Sequence, residues 1–152
     1  MNRGISLVSK SSTEGILLAD DDPNDREIII RAFRKTGFGL PIHALSKGDE
    51  VIMYLAGQAE YAARAQFPLP KFVILDASLL IAEGWEPLKW IRRQQQFNTL
   101  PVFVLTGSEL PGHREKAENL GATLYILKPH SLDDLVREMK RLVEFWMRIT
   151  IG

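Results

Sequence analysis

Cysteine is absent from the 152-residue chain, which excludes disulfides and thiolate metal centres and suits a reducing cytoplasm. An excess of either charge is missing too. With 19 Lys and Arg against 19 Asp and Glu, the formal net charge is zero, so no global field draws the chain to nucleic acid or anionic lipid. No apolar run reaches the ~18 residues of a membrane span. The segment Met1 to Glu14, polar and rich in Ser, lacks the apolar centre of a signal peptide. Internal repeats, low-complexity tracts and a linker to a second domain are also lacking. What remains is ordinary globular composition, 45% hydrophobic and 25% charged, in a length suited to one domain around one sizeable core. Residues 1–14 read as a flexible N-terminal tail and residues 15–152 as a single, cytoplasmic domain.

The stretch that organises the chain is Lys71-Phe72-Val73-Ile74-Leu75-Asp76, a short apolar run ending in one carboxylate. Such a run predicts a strand buried on both faces of a parallel sheet, with Asp76 at its carboxyl end. Three more runs end in polar groups. Ile16 to Ala19 stops in Asp20, Asp21 and Asp22, Val102 to Leu105 stops in Thr106, and Leu124 to Leu127 stops in Lys128. Ile42 to Leu45 is a weaker fifth strand. Helical patterns lie between them. Asp22-Pro23 caps a helix that carries Ile29, Ala32 and Phe33 inward and stops at Gly37. Gly48 to Ala56 is the next helix, Glu83 to Gln96 another with Leu88 and Ile91 inward, and Gly112 to Leu120 a fourth. Ser131 caps a long one bearing Leu132, Leu135, Met139, Leu142 and Trp146. Gly57 to Pro70 reads as a loop with a helical turn near Tyr61. Alternating strands and helices predict an α/β fold, a doubly wound five-stranded parallel sheet with five helices.

Each strand end alone suits a turn or cap residue; a carboxylate cluster, a carboxylate, a hydroxyl and an ammonium on one sheet edge have few structural excuses. Ligands bind at that edge in open α/β sheets. Carboxylates crowded within a few Å repel unless a hard cation sits among them, so Asp20, Asp21 and Asp76 make a candidate Mg²⁺ site. A carboxylate can also attack phosphorus to give an acyl phosphate. Metal, ammonium and hydroxyl would then stabilise the phosphoryl oxygens. Asp76, the lone central carboxylate, is the expected nucleophile.

Ile16-Leu17-Leu18-Ala19-Asp20-Asp21-Asp22, Val73-Ile74-Leu75-Asp76, Val104-Leu105-Thr106 and Leu127-Lys128-Pro129 resemble, in order and spacing, the motifs of bacterial response-regulator receiver domains. The resemblance spans about Gly15 to Trp146. It implies a flavodoxin-like, CheY-like sheet of strand order 2-1-3-4-5, with residues 15–152 as one stand-alone receiver domain. It further implies that Asp76 is the phosphoacceptor, Asp21 a direct Mg²⁺ ligand, Asp20 an acidic partner acting through water and the Ser78 main-chain carbonyl a third ligand. Thr106 is then the switch hydroxyl, Tyr125 the aromatic whose rotamer follows it, and Lys128 the phosphate-binding lysine, with a cis Lys128-Pro129 bond. Ser78 and Ser108 fall where the family tunes phosphoryl lifetime. Leu80 departs from the family's usual Pro; Glu83-Gly84 keeps the acidic-Gly pair that follows. The long Gly57 to Pro70 insert and Phe145-Trp146 are similar to single-domain regulators that partner phytochrome-type sensor kinases.

Other features carry bland expectations. Trp85 and Trp90 are packing or surface residues; His43, His113 and His130 have no metal-binding spacing; Arg92-Arg93 and Arg137 to Arg141 are solvated faces. Phe145, Trp146, Met147 and Ile149 form an apolar chain end that could serve a partner or a homodimer. The function implied is two-component signalling: a phosphoryl group received from a sensor histidine kinase and output by contact with a downstream protein or a phosphotransfer carrier. Such a chain is not an enzyme beyond self-phosphorylation and dephosphorylation chemistry. A phosphorylation-independent interaction module and a Mg²⁺-dependent phosphatase are the alternatives. The intact Asp21, Asp76, Thr106 and Lys128 set opposes the first, and Ser78, where such phosphatases tend to carry an acid, opposes the second.

Overall fold

In a computed structural model that describes residues 14–151, five short strands form one parallel sheet. They are β1 (Ile16–Ala19), β2 (Ile42–Leu45), β3 (Phe72–Asp76), β4 (Val102–Thr106) and β5 (Leu124–Leu127), in the spatial order β2-β1-β3-β4-β5. The expectation for residues 1–14 lies, but for Glu14, outside the described residues. Alternation along each inner strand splits the interior into two cores. Leu17, Ala19, Val73, Leu75, Val102 and Val104 point to one face; Ile16, Leu18, Phe72, Ile74, Phe103 and Leu105 point to the other. Because both faces are covered, no polar position interrupts these strands before their ends, which is why they read as unbroken apolar runs.

Six α-helices are present among the described residues where the sequence predicts five. They are α1 (Pro23–Thr36), α2 (Gly48–Ala56), α3 (Ala77–Ala82), α4 (Glu86–Arg93), α5 (His113–Asn119) and α6 (Leu132–Ile151). Of these, α1 and α6 cover the face of Phe72 and Phe103, while α2, α3, α4 and α5 serve the opposite face. The extra helix is α3, which begins directly after Asp76. With Leu80 in place of a proline, the backbone keeps the N–H that a helix requires there, and the Leu80 side chain is fully buried. The predicted Glu83 to Gln96 helix is correspondingly shorter. Gly84 and Trp85 both take left-handed conformations, with φ of 64° each, and separate α3 from α4. For Trp85 that conformation is uncommon, and burial of its indole offsets the strain.

Two sequence expectations for surface residues are corrected. Arg92 is a staple, not a solvated charge: its Nε donates to Gly121 O at 2.8 Å and its Nη1 to Phe97 O at 3.0 Å, joining α4 to the turn before β5. Burial lowers its pKa from the usual value. Phe145 and Trp146 are half-buried against the core, with ring centroids 6.0 Å from Phe103 and 5.9 Å from Phe72. The apolar helix end thus seals the sheet, and only Ile149 of the four is largely exposed.

The insert between α2 and β3 is held by Arg64. Its guanidinium donates to the carbonyls of Tyr54 at 2.8 Å, Leu55 at 2.9 Å and Phe67 at 3.1 Å, closing the carboxyl end of α2. Tyr54, Tyr61 and Phe67 cluster beneath it. At the opposite corner Gly15 is pinned between strands: Lys71 N–H donates to its carbonyl at 2.7 Å, and Ile16 N–H donates to Pro41 O at 2.8 Å. A Cβ at position 15 would overlap the Pro41 carbonyl oxygen. Gly15→Ala is therefore expected to lose about 1–3 kcal/mol of stability, seen as a lower urea midpoint. An unchanged midpoint would show that the β1–β2 corner can relax.

Candidate functional site

Strand register brings the polar ends together. Ala19 pairs with Leu75, Asp76 with Leu105, and Thr106 with Leu127, so Asp20, Asp76, Thr106 and Lys128 emerge on one edge. Asp20, Asp76 and Thr106 are the buried polar residues of the described chain, at 1%, 5% and 6% exposure. Asp21 lies exposed beside them. One carboxylate oxygen each from Asp20, Asp21 and Asp76 lies within 4.8 Å of the others. That is a hard, all-oxygen donor set suited to a divalent cation.

Lys128 is the hub of the site. Its Nζ donates to Asp76 Oδ1 at 2.8 Å, Asp25 Oδ2 at 3.0 Å and Asp20 Oδ2 at 3.2 Å. Burial by itself would lower the pKa of this ammonium. The hydrogen bond to Asp76 and its charge, with help from Asp25 and Asp20, outweigh that and hold it above the usual lysine range. The other oxygen of Asp76 faces α3, accepting from Leu79 N–H at 3.2 Å and from the Ser78 hydroxyl. Asp76 thus ends a strand and caps a helix, which fixes its carboxylate at the floor of the pocket.

Asp20 is held differently. Burial pushes its pKa up to about 6 and the negative charge of Asp76 adds to the shift, against the Asp22 N–H, bonded at 3.0 Å, and Lys128. Its main-chain carbonyl accepts from Arg26 Nη1 at 2.7 Å, so Arg26 turns back to the strand end although helical periodicity places it outward. Asp22 caps α1 as expected, accepting from Asn24 N–H at 2.8 Å.

A pocket of about 240 Å³ opens over this edge, lined by Asp76, Ser78, Thr106, Lys128 and also Asp25 and His113. Thr106 does not face Asp76 with a free proton: its hydroxyl donates to Ser108 O at 2.6 Å. Tyr125 is buried on β5. The Lys128–Pro129 bond is trans, not cis as the resemblance implied. Trans is the ordinary preference of an X-Pro bond, and Lys128 N–H here continues the ladder by donating to Thr106 O at 2.7 Å.

Asp25 was not singled out in the sequence, because as a third-position residue of α1 it reads as a capping charge. The turn of the helix, not any motif, carries it to Lys128. Glu83 is similar: its carboxylate accepts from Gly48 N–H at 3.0 Å and ties α3 to the start of α2. The clue for it was its place in the acidic-Gly pair.

The family model for the response regulator receiver domain matches residues 16–140. The chain belongs to that family. Receiver domains of this kind are signalling components of two-component systems, not conventional enzymes. This receiver domain is similar to response regulator RPA3017, described in red light signalling of R. palustris, with a TM-score of 0.82, 27% identity and coverage of 88% of this chain and 94% of that one. It is also similar to the phosphorylated cyanobacterial phytochrome response regulator RcpA, with a TM-score of 0.77, 27% identity and the same coverage. Response regulator Rcp1 of Synechocystis sp. is 26% identical over 132 residues, 87% of this chain and 88% of Rcp1. The Mn²⁺-bound structure of Rcp1 has a TM-score of 0.74, with coverage of 88% and 94%. The likeness to phytochrome-associated regulators therefore extends over nearly the whole receiver domain. Among its described residues no helix is long and apolar enough to cross a membrane.

Proposed function

We propose that residues 15–152 act as one receiver domain whose Asp76 accepts a phosphoryl group from a sensor histidine kinase of phytochrome type, with Mg²⁺ held by Asp21, Asp76 and the Ser78 main-chain carbonyl, and by Asp20 through water. The observation that carries this reading is the Asp76 carboxylate, buried at the pocket floor, within 2.8 Å of Lys128 and clustered with two further carboxylates. One Asp76 oxygen attacks phosphorus, the bond from phosphorus to the donor breaks, and its electron pair leaves with the donor. Asp76 gives up no proton. Bound Mg²⁺ supplies positive charge to the transferring phosphoryl oxygens. Lys128 adds a second positive charge on the other flank. Thr106 leaves Ser108 O to bond the new phosphoryl group, and Ser78 and Ser108, at the pocket rim, govern water's access to it. Output passes through protein contact on the face bearing Thr106 and Tyr125, to a downstream target or a phosphotransfer carrier in the cytoplasm.

Incubation of the chain with Mg²⁺ and acetyl phosphate, followed by intact mass measurement, tests this. One phosphoryl adduct is expected. No adduct from any donor would favour the interaction module, and steady turnover of unrelated phosphomonoesters would favour a phosphatase.

The raised pKa of Asp20 gives a pH signature. Its proton is held more tightly in the fold, at about 6, than at the ordinary value of 3.8, so the cation-free protein loses stability as pH rises through that interval. A bound cation favours ionised Asp20. Mg²⁺ affinity should thus fall by up to about tenfold per pH unit below that value, measurable by calorimetry. A flat profile would place Asp20 outside the cation's field.

A further inference from the structure

Among the side chains that line the pocket of about 240 Å³ over Asp76, the His113 imidazole has no part in phosphoryl transfer to that residue. The others that could give or take a proton are engaged: Asp25 and Asp76 with Lys128, the Ser78 hydroxyl with Asp76, and the Thr106 hydroxyl with Ser108 O. His113 opens α5 and is half-buried. Its main-chain N–H donates to Leu110 O at 3.2 Å, and its ring meets the Trp85 indole edge to face, with centroids 6.1 Å apart and planes at 66°. Such a contact sets the plane of the imidazole and leaves its nitrogens to water. Trp85 is held there against backbone strain. Its φ of 64° is unfavourable for a bulky residue, and its N–H donates to Leu80 O at 2.7 Å. The helix that begins at Asp76 thus ends in the turn that delivers Trp85 to His113.

We infer that His113 is a general base for hydrolysis of the Asp76 phosphoryl group: it orients a water molecule in the pocket, takes its proton, and so sets how long the phosphorylated form lasts. The inference rests on the phosphoacceptor reading of Asp76. The water oxygen bonds to phosphorus, the bond from phosphorus to the Asp76 oxygen breaks, and its electron pair returns to the carboxylate. One water proton passes to an imidazole nitrogen of His113 and on to solvent; the other leaves with orthophosphate. Imidazole is the side chain best suited to take a proton near neutral pH. The Ser108 hydroxyl is too weak a base, and the Lys128 ammonium has no lone pair. Phosphoryl transfer passes through a loose transition state with little bonding to the attacking oxygen, so the base should contribute about tenfold, less than general bases usually do.

The test forms the adduct on the full chain with Mg²⁺ and acetyl phosphate, removes the donor by desalting, and follows loss of the adduct by intact mass with Mg²⁺ still present. His113→Gln should lengthen the half-life of the adduct by about tenfold. His113→Phe, which keeps a ring against Trp85, should lengthen it as much, and this separates the base from packing. His113→Gly should decay as slowly and then quicken in proportion to imidazole added to the buffer, which should leave the unsubstituted protein unaffected. A half-life unchanged or shortened in either His113→Gln or His113→Phe overturns the inference, and so does a folded His113→Gly that imidazole does not quicken. If His113→Gly fails to fold, the other two variants decide. Failure of the unsubstituted protein to form any adduct overturns the Asp76 reading and the inference with it, whereas an adduct whose decay ignores residue 113 overturns the inference alone.

Discussion

Asp76→Asn is expected to abolish the phosphoryl adduct formed from acetyl phosphate and Mg²⁺. An amide oxygen lacks the charge that makes a carboxylate a competent nucleophile towards phosphorus, and no other carboxylate occupies the same place. Asp20 is buried with one oxygen on Asp22 N–H and the other on Lys128. Asp25 is half-exposed and bonded to Lys128. The substitution should also leave the fold intact, which makes the result interpretable. Asn retains an oxygen to cap α3 at Leu79, and loss of the Asp76 charge relieves a repulsion that raises the Asp20 pKa. The variant should therefore melt no lower than the parent in cation-free buffer, with Asp20 titrating closer to an ordinary carboxylate. An adduct of undiminished yield on Asp76→Asn, located by peptide mapping, would assign the acceptor elsewhere.

Lys128→Ala is expected to produce the largest stability change at the site. In the parent, one ammonium at 15% side-chain exposure balances Asp20 and Asp76, which are nearly inaccessible. Breaking a buried pair by removing one partner costs about 3–5 kcal/mol, because the remaining charge is left uncompensated. The half-exposed Asp25 adds little to that figure. The pH dependence has a definite sign. The folded-state pKa of Lys128 lies above its ordinary 10.5, so in the parent its contribution is fully present below that pH and is lost only as pH rises past the raised value. In the variant the penalty comes from ionised Asp20 and Asp76. It should ease as pH falls below neutral, where Asp20, no longer held down by Lys128, takes up its proton above the parent's value of about 6, and also when Mg²⁺ is added at neutral pH. Urea unfolding at both pH values, with and without Mg²⁺, measures this. A variant as stable as the parent in cation-free neutral buffer would mean that water already neutralises the cluster. Adduct formation should slow as well, since the phosphoryl oxygens lose one of their two positive neighbours.

Much of the site was legible because a parallel sheet turns sequence position into spatial position. Four apolar runs ending in Asp20, Asp76, Thr106 and Lys128 have to place those groups on one edge once the strands are parallel and in register. The strand order followed from the resemblance, since several orders are compatible with the same alternating pattern. The less legible residues reach the site or the frame by helix rotation and loop closure. Arg26 and Arg92 read as outward, solvated charges, yet each donates to a particular carbonyl oxygen; Asp25, which reads as a capping charge, accepts from Lys128 Nζ, and Arg114, to which the sequence assigns no role, donates to the Tyr125 carbonyl. Periodicity assigns a face to the Cα, but a long side chain can turn back over several Å to a carbonyl that the sequence does not mark.

Helix boundaries around Asp76 show the same division. The run from Ala77 to Gln96 has good helix formers on either side of Gly84, and nothing local requires a helix to begin at Ala77. What decided it was the Asp76 carboxylate accepting from Leu79 N–H together with burial of Leu79 and Leu80. The trans geometry before Pro129, by contrast, is the ordinary local preference of such a bond.

By itself the sequence determined that this chain folds as a five-stranded parallel α/β domain with carboxylates, a hydroxyl and an ammonium at the carboxyl ends of its strands. Hydrophobic periodicity and abrupt polar stops are properties of consecutive residues. Only the tertiary structure decided that Lys128 would bridge three carboxylates, that Thr106 would be engaged with Ser108, and that Tyr125 would lie buried with an unpaired hydroxyl beneath Arg114. Except for Thr106 and Ser108, which are neighbours in one turn, those are contacts between residues far apart in the chain or on different elements, and their geometry is set by how helices pack on the sheet.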